Sequence, residues 1–158
     1  MNPPGIPMLY LASSKKTALK ETRAEQGRLG QWSCLRALRV LDLRQLPEMP
    51  GYFSDATRRE RLTLNFLYHF SADIMIPVIR DKYIHIDYLP SQVVTEYLRD
   101  FSFDDGKIDG IAYESTIHPC GWNVVLFCDP VDLHLEEPDW GPRPPQWLGF
   151  KGAISCKL

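Results

Sequence analysis

Cysteine and histidine are the residues of this chain best suited to bind a metal, and their spacing decides whether they could do so together. The four cysteines are Cys34, Cys120, Cys128 and Cys156, and none of them belongs to a CxxC pair. Structural zinc sites use four ligands arranged in closely spaced pairs. His118 stands two residues before Cys120, but two ligands on one loop do not make a site. We therefore expect free thiols and no bound metal.

Polar residues that could take part in acid–base chemistry each have an ordinary structural explanation. His85 and Asp87 alternate in the segment YIHIDYLPS, which is more typical of a structural polar pair than of a catalytic dyad. Glu21, considered alone, is a solvated helix residue that pairs with Lys20 or Arg23. Residue types and spacing therefore single out no site by themselves, and the elements that carry these residues have to be considered.

Length and composition describe an ordinary globular domain. The chain has 158 residues, of which 44% are hydrophobic and 24% are charged, so it can bury a sizeable core. Its net charge of −2 gives no general electrostatic reason to bind nucleic acid or an acidic membrane. No apolar run approaches the length of a bilayer span, and there is no charged-then-apolar leader. We expect a cytoplasmic protein that binds neither nucleic acid nor membrane.

Short elements fill the first third of the chain. Residues 8–12 predict a strand, and the serine pair that follows can cap a helix that runs to about Ala24. The glycines between Gly27 and Gly30 are expected to break that helix. CLRALRVLDL, at residues 34–43, is rich in Leu and Val and predicts a second strand.

Two longer helices are predicted next. The first begins at Ser54-Asp55, and its apolar stripe consists of Leu62, Phe66, Leu67 and Phe70. The second begins at Pro90-Ser91, where proline suits the first turn. Two strand-like runs, residues 111–115 and 123–128, follow it. Strands mixed irregularly with helices favour an α+β fold over a doubly wound sheet.

The pattern fades after Pro130. EEPDWGPRPPQW is dense in proline, which predicts extended, irregular structure. We therefore expect a folded domain over residues 1–130 and an irregular Pro/Trp-rich C-terminal tail over residues 131–158.

Four segments, taken in order, resemble the RES domain family, which is named for an Arg, a Glu and a Ser spread along its chain. They are PPGIPMLYLASSKKTALKE, HIDYLPSQVVTEYLRD, DGIAYEST and NVVLF, and together they cover roughly residues 2–129. The resemblance implies a fold similar to that of ADP-ribosyltransferase toxins, with a mixed, mostly antiparallel sheet and flanking helices.

That resemblance also implies an enzyme that degrades NAD. Characterised members break the bond between nicotinamide and ribose and pass the ADP-ribose unit to water or to phosphate. NAD is then the substrate, inorganic phosphate is a candidate co-substrate, and no cofactor is required. Several members are toxins restrained by an antitoxin encoded beside them, and a homodimer is compatible with the family.

Motif by motif, the resemblance assigns Tyr10 in PMLYLA, Glu21 in TALKE and Ser115 in AYEST. Breaking a glycosidic bond develops positive charge on the sugar, which a carboxylate such as Glu21 would stabilise. Tyr10 could stack on the nicotinamide or an adjacent ring. Ser115 could hydrogen-bond a phosphate, a ribose hydroxyl or the nicotinamide amide. Asn123 is a second polar candidate in the same region.

Each assignment has a rival or an ordinary alternative. Glu25 lies one helical turn after Glu21 and would share its face, although the alanine–leucine lead-in favours Glu21. Tyr10 alone would be a half-buried strand aromatic, and Ser115 alone a turn residue at a strand end. We nevertheless predict a pocket lined by Tyr10, Glu21, Ser115 and Asn123.

The start of the chain bears on activity. In the family, the turn that corresponds to Asn2-Pro3-Pro4-Gly5 is preceded by Gly-Arg and one further residue, here Met1. The arginine of the family name would then fall immediately before Met1, which leaves an unfilled positive position beside Asn2. Either the reading frame begins at an internal methionine or the product is truly shortened. Arginine binds phosphate through a bidentate fork, so we expect its loss to weaken catalysis.

Two functions from different classes follow from these residues. The first is an NAD glycohydrolase or phosphorylase, toxin-like in role, with Glu21 and Ser115 as catalytic residues and Tyr10, Asn2 and Asn123 binding the substrate. The second is a catalytically inactive RES-like domain that binds a nucleotide or a partner protein. Binding of NAD or ADP-ribose without release of nicotinamide would distinguish the second from the first.

Overall fold

The computed structural model describes residues 5–76, 89–134 and 146–157. Helices and strands alternate irregularly along it, and the fold is α+β as expected. In chain order the elements are β1 (Leu9–Ala12), α1 (Lys15–Thr22), β2 (Gln26–Cys34), β3 (Val40–Asp42), α2 (Arg58–Met75), α3 (Leu89–Asp100), β4 (Gly110–Glu114), β5 (Trp122–Leu126), a 3-10 turn (Pro130–Asp132), β6 (Leu133–His134) and β7 (Leu148–Lys157). Within the described residues, no helix has the length and apolar character needed to cross a bilayer.

The strands form two mixed sheets in which most neighbours are antiparallel. In the first sheet the order is β1-β5-β4-β3, and only β3 runs parallel to its neighbour β4. In the second sheet the order is β2-β7-β6, with β2 antiparallel and β6 parallel to the long strand β7. The expectation of a mixed, mostly antiparallel arrangement with flanking helices is therefore confirmed.

The first sheet is covered on both faces, because neighbouring residues of a strand point to opposite sides. Val125 of β5 belongs to a core shared with α2 and α3, whose buried members are Leu43, Phe70, Leu98, Ile111, Val125 and Phe127. The next residue, Leu126, belongs instead to a core with Cys128 and Leu148, against which Trp32 of the second sheet packs. The first sheet thus lies between the two long helices and the second sheet.

Helix α1 has well-defined ends that the sequence partly predicts. Ser14 is the N-cap and its Oγ accepts a hydrogen bond from the Thr17 amide at 3.1 Å, which confirms the predicted serine cap. At the other end Arg23 adopts a left-handed conformation with φ 56°. The Arg23 and Ala24 amides bond back to the carbonyls of Lys20 and Leu19, which is a Schellman motif.

The longer helices begin near, but not always at, the expected residues. Helix α2 begins at Arg58 rather than at Ser54-Asp55, because Thr57 and Glu60 form a reciprocal capping box there. The preceding loop is held by Arg61, whose guanidinium donates to the carbonyls of Pro50 and Gly51. Helix α3 begins at Leu89, beside the predicted Pro90-Ser91 start.

The region after α1 differs from expectation. Residues 27–30 do not form a break but lie inside the nine-residue strand β2, where pairing with β7 compensates for the low strand preference of glycine. The strand expected over residues 34–43 is reduced to β3 at its end, because β2 finishes at Cys34 and β3 spans only 40–42. Between them the chain crosses from the second sheet to the first.

The expected irregular tail is wrong for residues 148–157, which form β7, the longest strand described. Its burial alternates along most of its length, as a strand covered on one face requires. This alternation, LGFKGAISCK, was obscured by the proline-rich segment before it and by two glycines. Because β7 lies between β2 and β6, it is the central strand of the second sheet and not an appendage.

A charged pair joins the two sheets where the chain crosses between them. The Arg36 guanidinium donates to both carboxylate oxygens of Asp109, at 2.7 and 3.0 Å, and lies over the ring of Trp147 at 4.3 Å. The Arg39 amide also donates to the Asp109 carboxylate, at 2.8 Å. Burial by itself raises the pKa of Asp109, but the hydrogen bonds from Arg36 and Arg39 outweigh it, and the pKa is lowered overall.

This pair predicts a pH-dependent contribution to stability. The pKa of Asp109 is lower in the folded protein than its unfolded value of about 3.9. The ionised carboxylate therefore stabilises the folded protein fully above about pH 3.9, and this stabilisation is lost as the pH falls through the folded-state pKa. We expect Asp109→Asn to lower the free energy of unfolding at pH 7 by about 1.5–3 kcal/mol, the value of a hydrogen bond to a charged group. Urea denaturation should show the gap to the parent protein narrowing at low pH. Asp105→Asn, at a carboxylate that is 91% exposed, is the control and should change little.

The left-handed residue that ends α1 predicts a stabilising substitution. A side chain in that conformation is strained, whereas glycine is not. We expect Arg23→Gly to raise the free energy of unfolding by about 0.5–1 kcal/mol, and thermal unfolding measures it. Lys20→Gly, inside the same helix, should lower it by about 1 kcal/mol. A loss of stability in both variants would contradict this account of the helix end.

Candidate active site

Three of the polar residues singled out by sequence meet at the carboxylate of Glu21. The Ser115 hydroxyl donates a hydrogen bond to Glu21 Oε1 at 2.7 Å. The Asn123 side-chain amide donates to the same oxygen, also at 2.7 Å. Ser115 and Asn123 are buried, whereas the Glu21 residue remains exposed. Among the described residues, the carboxylate is therefore held by two neutral donors.

The two donors are brought together by the pairing of β4 and β5. Asn123 of β5 lies between Ala12 of β1 and Tyr113 of β4 in the register of the first sheet. Ser115 follows β4 directly, and its amide donates to the carbonyl of Gly121 at 2.9 Å, which closes the connection between the strands. The register of the sheet thus places Asn123, and the turn that follows β4 places Ser115 beside it.

Glu21 occupies an unfavourable position in its helix. It lies in the last turn of α1, where the helix dipole disfavours a negative charge. Both described donors bind Oε1, and within the described residues Oε2 accepts no hydrogen bond. A carboxylate that neutral donors orient through one oxygen is suited to stabilise a developing positive charge.

Two tyrosines lie on the same face of the first sheet as Asn123. Tyr10 of β1 is 45% exposed, and Tyr113 is paired directly with Asn123. The pKa of the Tyr113 hydroxyl is raised well above its usual range, chiefly by burial and further by the nearby Tyr10 and Glu21. Tyr113 therefore remains a neutral hydrogen-bonding group beside the carboxylate.

Comparison with protein families identifies the family of the chain. The model of the RES domain matches residues 1–147, almost the whole chain. The chain belongs to the RES domain family. No curated protein and no solved structure matches it. In this RES domain, the Glu and Ser expected from the family name are the two residues joined by the 2.7 Å hydrogen bond.

The remaining expectations about the site divide into three groups. Tyr10 lies near the cluster through Tyr113, as its electrostatic effect on that hydroxyl indicates. Glu25, the rival of Glu21, is outside α1, which ends at Thr22, and so does not share its helical face. Asn2, His85 and Asp87 lie outside the described residues. The catalytic and substrate-binding roles themselves stay predictions.

Tyr113 is a neighbour of this polar cluster that the sequence analysis did not single out. It stands two places before Ser115 in AYEST, and residues two apart in a strand share a face. Combined with the assignment of Ser115, that period was sufficient to find it. Among the described residues, no three His, Cys, Asp or Glu side chains are grouped so that they could hold a metal ion.

An open groove lies between the start of α1 and the second sheet. It has a volume of about 540 Å³ and is lined by Leu11, Ala12, Ser13, Ser14, Lys15, Ala18, Leu29, Gly30, Gln31, Trp32 and Ile154. Its lining includes none of Tyr10, Glu21, Ser115 and Asn123. This groove is therefore not the predicted pocket.

Close packing beside Ser115 predicts a position that tolerates no side chain. A Cβ atom at Gly121 would lie 2.7 Å from Thr17 Oγ1 and 2.8 Å from His118 Nδ1. We expect Gly121→Ala to lower the free energy of unfolding by about 1–3 kcal/mol, as overpacking does. Gly51→Ala is the matched control, because nothing lies within 4 Å of a Cβ there. Equal thermal unfolding of the two variants would show that α1 is not held against this connection.

Proposed function

We propose that this RES domain cleaves the bond between nicotinamide and ribose in NAD. The nicotinamide leaves with the bonding electron pair, and the ADP-ribose unit is transferred to water or to inorganic phosphate. With water, the oxygen bonds to the anomeric carbon and a proton is released. Membership of the RES family supports the proposal.

The observation that carries the proposal is the environment of Glu21. Its described partners, Ser115 and Asn123, are neutral donors that orient the carboxylate without cancelling its charge. A glycosidic bond breaks through an oxocarbenium-like state with positive charge on the ribose. A fixed, uncompensated carboxylate stabilises such a charge without having to reorganise. Glu21 would do so through Oε2.

The neighbouring residues supply binding groups for the rest of the substrate. Tyr10 presents an exposed aromatic ring that can stack on a nicotinamide or adenine ring. The neutral Tyr113 hydroxyl can hydrogen-bond the ribose or the carboxamide. Asn123 holds Glu21 with its amide nitrogen, which leaves the amide oxygen as a further acceptor. A toxin-like role restrained by an antitoxin belongs to the same proposal.

Glu21→Gln tests the central step because it keeps the size of the side chain and removes its charge. We expect the rate of nicotinamide release from NAD to fall by about 10²–10³-fold, the range seen when one group that stabilises a transition-state charge is removed. The measurement is release of nicotinamide with purified protein, with and without added phosphate. An acceleration by phosphate would identify it as the acceptor.

Glu25→Gln is the matched control, since it makes the same chemical change at an exposed residue outside α1. It should retain the parent rate. If Glu21→Gln also retains that rate, Glu21 does not act in the reaction. The alternative is an inactive domain that binds a nucleotide, and calorimetry with ADP-ribose tests it. If the parent protein binds ADP-ribose but releases no nicotinamide from NAD, the domain is an inactive nucleotide-binding domain.

A further inference from the structure

The connection between β4 and β5, residues 115–121, binds α1 at two places one helical turn apart. Ser115 at its start donates to Glu21, near the end of the helix. His118 in its middle bonds through Nδ1 to the Thr17 hydroxyl at 2.8 Å. Thr17 and Glu21 are four residues apart, so both lie on the same face of α1. The connection, called here the 115–121 loop, therefore follows that face of the helix.

The Thr17 end of this contact is buried and is bonded to the helix cap. Thr17 is fully buried, and its hydroxyl also bonds to the Ser14 hydroxyl at 2.7 Å. Ser14 in turn is fixed by the Thr17 amide as the cap of α1. A hydroxyl has one hydrogen and can both donate and accept, so the chain of Ser14, Thr17 and His118 is satisfied with either imidazole nitrogen protonated. The His118 ring is thereby tied to the helix cap.

The backbone amide of His118 determines the direction in which the Ser115 hydroxyl donates its hydrogen. The His118 amide donates to Ser115 Oγ at 3.0 Å. A backbone amide can only donate, so Ser115 uses a lone pair there and keeps its own hydrogen for Glu21 Oε1. One residue thus contacts Thr17 through its ring and orients the Ser115 hydroxyl through its backbone.

We propose that His118 is a positioning residue for the Glu21 carboxylate. Its ring holds the 115–121 loop on α1, and its amide directs the Ser115 hydroxyl to Glu21 Oε1. This inference rests on the proposed NAD-cleaving function for its consequence in catalysis. Its geometry depends only on the hydrogen bonds to Thr17, Ser115 and Glu21.

The test compares His118→Ala with His118→Asn. The asparagine side-chain amide can occupy the position of the imidazole Nδ1 and bond to Thr17, whereas alanine cannot. We expect alanine to lower kcat for nicotinamide release by about 10–100-fold with KM nearly unchanged, because small displacements of a catalytic group have effects of that size. Asparagine should restore most of the loss. An alanine variant with the parent kcat, or an asparagine variant no better than alanine, would overturn the proposal.

Two further variants separate positioning from simple loss of stability. Thr17→Val removes the partner hydroxyl and should lower kcat as His118→Ala does, while the double variant should lose little more, since both break one contact. An additive loss would contradict the shared contact. His69→Ala, at an exposed histidine of α2, is the control and should leave kcat unchanged.

A spectroscopic measurement keeps the inference testable apart from turnover. The carboxyl carbon resonance of Glu21, in protein labelled with carbon-13 glutamate and assigned with Glu21→Gln, reports its hydrogen bonds. It should move in His118→Ala and in Ser115→Ala, and stay in place in His69→Ala. If the parent protein releases no nicotinamide but the resonance moves as expected, the proposed function fails and the positioning of Glu21 stands. No movement in His118→Ala would refute the positioning.

Discussion

Strand β5 is buried on both faces, and the register of the first sheet and the position of the candidate site in this RES domain depend on that burial. Val125 and Leu126 are adjacent, almost fully buried, and belong to two different cores, one with the long helices and one with the second sheet. A slip of one residue would exchange these faces and leave both cores mismatched. The approach of the neighbouring strand is equally specific: a Cβ at Gly110 of β4 would lie 2.8 Å from Leu126 Cδ2. The register of β5 is therefore fixed by packing and not by the polar residues it carries.

The candidate site is a consequence of that register. With Val125 and Leu126 in place, Asn123 has to stand between Ala12 and Tyr113, and it faces the same side of the sheet as Val125. The apolar residues of β5 thus fix the strand, and the polar residue Asn123 is positioned by their packing. Because the core stabilises the fold, the candidate site can contain a locally unfavourable feature: the negative charge of Glu21 in the last turn of α1, where the helix dipole disfavours it.

Sequence reasoning succeeded where local chemistry decides the structure. The Ser14 cap of α1, the start of α3 near Pro90 and the strands β1, β4 and β5 all follow from capping residues, breakers and short apolar runs. It failed where tertiary pairing overrides local preference. Glycines inside β2 are poor strand formers, and they are accommodated because β7, more than a hundred residues later, pairs with them.

The candidate site shows the same division. The family motifs assigned Glu21 and Ser115, and the structure brings them within hydrogen-bonding distance. In the sequence analysis His118 was considered only as one of two potential metal ligands on a loop. Its actual partner, Thr17, is a hundred residues away and buried inside α1, so no spacing rule connects the two. Motifs were thus sufficient to assign the candidate residues, whereas a hydrogen bond such as that between His118 and Thr17 depends on contact between distant segments.

The carboxylates of this protein differ in the groups that bind them. Asp109 and Asp42 are each bound by an arginine through two hydrogen bonds, and the pKa of each is lowered, the first against the effect of burial and the second chiefly by its bond to Arg44. Their charges are compensated, and they hold loops and strands together. Within the described residues Glu21 takes part in no such ion pair and is bound by a hydroxyl and an amide. Neutral donors fix its direction and leave its charge available, because a cation in their place would oppose any positive charge that developed nearby. Among the described residues, the charge of the partner therefore distinguishes the two structural carboxylates, which are bound by arginines, from the candidate catalytic one, which is bound by neutral groups.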